Sequence, residues 1–99
     1  MEINGKNYNL KYSLRSMFVF EEITGKSFEV KTLLDTYILA YACIIANQEN
    51  PPLEFNEFID ACDENPGIIE EFNKFIEGEM KRRNAFNKKK VKTEEKNCQ

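Results

Sequence analysis

Tyr8, Leu10 and Tyr12 alternate with Asn7, Asn9 and Lys11, the period-two pattern of a half-buried strand. Just upstream, Asn4-Gly5 is the preferred pair for a tight hairpin turn in which both residues need positive φ. Glu2-Ile3 precedes it. The pattern predicts an N-terminal β-hairpin with its second strand reaching Tyr12. A lone hairpin is marginal in water, so its apolar face must rest on helices.

From Leu14 the period lengthens to that of a helix. Ser13 is a suitable N-cap and Gly25 a suitable C′ residue. At about 100° per residue, Leu14, Met17 and Phe18 share one face, expected to hold this helix to the hairpin and the central helix. Val19, Phe20 and Ile23 point toward the other face, and Arg15 and Glu22 form a polar stripe. A helix apolar on both sides is either sandwiched in a core or presents one face to a partner.

Thr32 can cap a longer helix running to about Asn47. The segment from Tyr37 to Ala46 carries no charge on any side, which marks the central buried helix, and Asn50-Pro51-Pro52 ends it. Phe55, Phe58, Ile59 and Cys62 recur at i, i+3, i+4 and i+7 in a third helix. Asn65-Pro66 pairs a capping residue with a proline suited to the first helical position. A fourth helix follows with Ile68, Ile69, Phe72, Phe75, Ile76 and Met80 on one stripe. Its solvent side is expected to form the i, i+4 pairs Glu70–Lys74, Glu77–Lys81 and Glu79–Arg83. From Asn87 the stripe fails, and "NKKKVKTEEKNCQ" reads as a charged tail, disordered or loosely helical.

The expected architecture is therefore mainly α. A two-stranded N-terminal hairpin packs on about four helices in one globular domain, residues 1–86, followed by a flexible tail, residues 87–99. The 99 residues, 41% hydrophobic and 31% charged, suit one core of that size.

Charge divides the chain more sharply than the net value of −3 suggests. Residues 1–80 balance at −9 and residues 81–99 at +6, giving an acidic body and a basic end. Lys81, Arg82, Arg83, Lys88, Lys89, Lys90 and Lys92 form a strip able to touch phosphates. The body is acidic, however, and no interleaved aromatic platform accompanies the strip, which argues against nucleic-acid binding.

Little in the sequence points to catalysis. The chain has no His, the commonest general base and metal ligand, and no phosphate-binding Gly loop or nucleophile elbow. Asp60, Asp63 and Glu64 lack the Gly and spaced oxygens of a calcium loop and read as a solvated helix end. Three cysteines, Cys43, Cys62 and Cys98, none at C-x-x-C spacing, favour a reducing compartment over a disulfide framework or zinc site. No cofactor or metal is expected. Met1 leads straight into polar residues, so no signal peptide is expected. The apolar run to Ala46 is shorter than the ~20 residues a bilayer requires.

The stretch "INGKNYNLKYSLRSMFVFEEITGKSFEV", with its I-N-G-K hairpin, S-L-R, aromatic helix and I-T-G-K, resembles the small tail assembly chaperones of long-tailed bacteriophages and prophages. "PPLEFNEFIDACDENPGIIEEFNKFI" resembles the second part of that family, through L-x-F, F-I-D and the N-P helix opening. The likeness spans Ile3 to Ile76. Glu54 departs from it, standing where a Ser, Thr or Asp cap is expected, and nothing after Arg83 aligns.

The resemblance implies a non-catalytic protein of the bacterial cytoplasm that is absent from the mature virion. Such proteins bind the tape-measure protein, keep it soluble and help recruit tail-tube subunits; self-association is compatible with this role. The candidate partner surface is Arg15, Phe20, Ile23 and the Gly25-Lys26 corner. Two other readings remain open: a small nucleic-acid-binding regulator using the 81–92 strip, and a structural tail or head–tail connector component.

Overall fold

Asn4 and Gly5 adopt φ of 53° and 80°, the left-handed pair that a type I′ turn requires. They close β1 (Glu2–Ile3) antiparallel on β2 (Lys6–Asn7), with Glu2 opposite Asn7 and Ile3 opposite Lys6. Four helices follow in this computed structural model: α1 (Leu14–Thr24), α2 (Leu33–Ile45), α3 (Phe55–Glu64) and α4 (Gly67–Cys98). The structure describes the backbone of residues 1–98 and the side chains of residues 1–82. The expected tail at 87–99, and Arg83, Lys88, Lys89, Lys90, Lys92 and Cys98, lie outside the residues whose side chains are described.

The second strand is shorter than the alternation predicts, because residues 9–12 have no strand to pair with. The alternation itself survives: Tyr8 and Tyr12 are buried, Leu10 is half-buried, and Asn9 and Lys11 are exposed. This extended segment bonds to the end of α2 instead. The Lys11 N–H donates to the Cys43 carbonyl at 3.1 Å. Asn50 acts as a staple: its Oδ1 accepts from the Asn9 N–H at 2.9 Å, and its Nδ2 donates to the carbonyls of Asn9 (2.7 Å) and Ile44 (2.9 Å).

Helix ends follow local chemistry. Ser13 and Ser16 form a reciprocal capping box at α1, as do Thr32 and Asp35 at α2. Gly25, at φ 71°, ends α1 in the left-handed conformation. Glu54 makes no side-chain cap bond at α3; the Glu57 carboxylate accepts from its N–H at 3.2 Å. The Asn65 side chain accepts from the Gly67 N–H at 3.0 Å and opens α4.

As expected, α2 is central. Ile38, Leu39, Ala40, Ala42, Cys43 and Ile44 are all buried, joined in the core by Ile3, Tyr8, Phe58, Ile68 and Phe72. Tyr41 lies edge-on to Phe55, with centroids 5.3 Å apart, and donates its hydroxyl to the Leu53 carbonyl at 2.6 Å. On α4, Arg82 pairs with Glu79 three residues earlier; Glu70–Lys74 and Glu77–Lys81 are not ion-paired.

The face of α1 departs in part from expectation: Met17 packs against the core and Ile23 is exposed as expected, but Leu14, Phe18 and Phe20 exchange places. Phe20 is 0% exposed and Ser16 is fully buried, whereas Leu14 and Phe18 are 63% and 57% exposed. The Leu14–Phe18 stripe runs into Glu21 and Glu22 one turn later; the Glu21 carboxylate accepts from the Phe28 N–H at 2.7 Å, and burying Glu22 would strip water from an unpaired charge. The Ser16–Phe20 stripe runs on to Thr24, whose hydroxyl donates to the Phe20 carbonyl at 2.9 Å. Ser16 costs little to bury, since its Oγ accepts from the Ser13 N–H at 2.8 Å and donates to the Ser13 carbonyl at 2.6 Å. Its small side chain also lets α1 approach Cys43 on α2.

Candidate protein-binding surface

Because Ser16 and Phe20 face inward, α1 carries Leu14 and Phe18 outward, one turn apart. Together with Val19 on the same helix and Ile45 and Ala46 at the end of α2, they line a cleft of about 540 Å³. Arg15, Glu22 and Gln48 form its polar boundary. Fully burying a Phe or Leu side chain contributes about 1.5–3 kcal/mol. A partner that covered this stripe would gain much of that for each residue.

The sequence-derived surface is thus partly displaced. Arg15 and Ile23 are exposed as expected. Phe20 is core and cannot meet a partner without unfolding α1. Gly25 serves as the helix cap. Lys26 is engaged with Asp35, its Nζ 3.2 Å from both carboxylate oxygens. Lys81 and Arg82 are exposed.

Leu14 and Phe18 are the surface residues that the apolar spacing misassigned. The signal that finds them is the position of the acids: a helix face that ends in Glu21-Glu22 is the one that stays in water. Leu33 and Leu34, at the first turn of α2, are also exposed and line a second groove with α3. The uncharged run behind them is the stronger burial signal and conceals their exposure.

The Lys26–Asp35 corner is electrostatically tight. The Asp35 side chain is buried, and its Oδ2 accepts from the backbone N–H groups of Lys31 (3.0 Å) and Thr32 (3.2 Å) as well as from Lys26. The Lys31 N–H above all, with Lys26 and the Thr32 N–H, lowers its pKa to about 2 against the opposing effect of burial. This corner is built to hold the loop between α1 and α2.

Burial raises the Cys43 thiol to about 12 and the Cys62 thiol to about 11. Both stay protonated and weakly nucleophilic near neutral pH, which suits their place as small apolar core residues. Among the described residues, no three His, Cys, Asp or Glu side chains converge as a cation site. No helix among them is long and apolar enough to cross a membrane.

Compared with known proteins, the chain matches no family model, no curated protein and no solved structure.

Proposed function

We propose that the protein is a non-catalytic assembly chaperone that binds amphipathic helical segments of a phage tape-measure protein and helps bring tail-tube subunits to it. One observation carries this reading: the Leu14–Phe18 stripe stands in water along a cleft between α1 and α2 whose apolar lining is edged by polar side chains. A holdase needs such a face, with enough surrounding charge to remain soluble. The acidic body supplies that charge, and the same helix lies within the stretch that resembles tail assembly chaperones. The work is done in the bacterial cytoplasm, and the protein leaves before the tail is complete.

The test is co-expression with tiled segments of the tape-measure protein. At least one segment should co-purify with the wild-type chain, and Phe18→Asp should abolish this while the variant still melts cooperatively. Capture unaffected by Phe18→Asp would remove the cleft from the mechanism. Recovery of the protein from purified virions would favour a structural tail component. Salt-steep DNA binding, lost on truncation at Asn84, would favour a nucleic-acid regulator.

A further inference from the structure

The second groove differs from the first in the sign of its surroundings. Leu33, Leu34 and Tyr37 of α2 form one wall, and Phe55, Ile59 and Cys62 of α3 the other, enclosing about 400 Å³ with Asp63 at the edge. Leu33 and Leu34 are 76% and 58% exposed. They have no part in starting α2, since Thr32 and Asp35 supply the cap. From Phe55 to Cys62 the α3 wall is about 10 Å long at 1.5 Å per residue. That is the length over which a docked helix presents residues i, i+3 or i+4, and i+7.

The charge around this wall has one sign. Glu54 precedes α3, and Glu57, Asp60, Asp63 and Glu64 lie on it. No Lys or Arg occurs anywhere from Thr32 to Asn73. Lys31, just before α2, is paired with Glu29. None of these five carboxylates is ion-paired within the described residues. Of these, Asp63 lines the groove, and the other four are exposed along the same segment.

The geometry points to this groove as a docking site for a cationic amphipathic helix of a partner protein. The partner's apolar stripe enters between α2 and α3, and its Lys or Arg residues meet the carboxylates of α3. An anionic helix with the same stripe brings like charges together and is disfavoured. The Leu14–Phe18 cleft has a mixed rim, Arg15 and Glu22, so this site stands independently of the chaperone reading.

Two synthetic helical peptides of about 18 residues test it. They share one Leu stripe and carry either Lys or Glu at the polar positions. The Lys peptide should bind the full chain at least about tenfold more tightly than the Glu peptide, with NMR shift changes centred on Leu33, Leu34, Phe55 and Ile59. Leu33→Ser/Leu34→Ser should weaken it by about tenfold or more without lowering the melting temperature, and Phe18→Asp should bind it normally. Equal affinity for the two peptides would overturn the proposal. So would undiminished binding by the double variant, which signals only diffuse attraction between a polycation and an acidic protein. Sedimentation showing a second copy of the chain seated in the groove would also overturn it.

Discussion

The Phe28 ring stands edge-on to Phe20, with centroids 5.1 Å apart and planes at 83°. The Phe28 ring also packs tilted against Tyr12, with centroids 6.4 Å apart. It thereby joins the loop after α1 to the residue buried beneath that helix and to the segment that leads into it. The contact pins α1 with its Ser16–Phe20 side inward, and so leaves Leu14 and Phe18 in water.

Phe20→Ala should therefore destabilise the protein by about 3–5 kcal/mol, the usual cost of emptying a fully buried Phe site. Phe18→Ala, on the outer face, should change stability by only about 0.5 kcal/mol. Urea unfolding of both variants checks the pair. Comparable losses would show that α1 does not sit with this face inward.

Asp35 gives a pH dependence of definite sign. Its folded pKa of about 2 lies below the ordinary 3.8, so folding favours the ionised carboxylate. Its contribution is complete above the unfolded value and fades as pH falls from about 4 toward 2. Asp35→Asn should be clearly less stable than wild type near pH 6, with the difference shrinking at about pH 2.5. Lys26→Met should have a smaller effect, because the Lys26 side chain is half exposed and the backbone N–H of Lys31 is the principal stabiliser. A gap between wild type and Asp35→Asn that ignores pH would contradict this account.

Asn50 holds the extended segment to α2 through three hydrogen bonds. At about 0.5–1.5 kcal/mol net for each, partly offset by water in the variant, Asn50→Ala should cost about 1–3 kcal/mol. Asn50→Asp keeps the acceptor for Asn9 but sets a carboxylate against two carbonyls, and should also destabilise. Hydrogen exchange at the Asn9 amide should accelerate in the Ala variant. An unchanged rate would mean that the staple does not hold the segment.

The helix boundaries were legible because caps act within a few residues. Ser13, Gly25, Thr32 and Asn65 bring their own donors, acceptors or permitted φ wherever the chain is placed, and the structure uses all four. The Asn4-Gly5 turn and the buried run on α2 are local in the same sense. Asn50 was legible only as part of a helix stop, since its partners at Asn9 lie 41 residues away. The partner surface was half legible. Arg15 and Ile23 are exposed, but Phe20 exchanges places with Leu14 and Phe18.

By itself, the sequence determined the order of elements, their ends, the central place of α2 and the division between an acidic body and a basic end. These depend on neighbouring residues, periodicity and composition. Only the tertiary structure decided which apolar face of α1 is core, because both faces carry large side chains of similar transfer free energy. The choice turned on non-local packing: Ser16 fits against Cys43, Phe28 folds back onto Phe20 while its N–H bonds the Glu21 carboxylate, and Glu22 keeps its water. The two open grooves are tertiary in the same sense, since each joins side chains from helices that meet only in the folded chain.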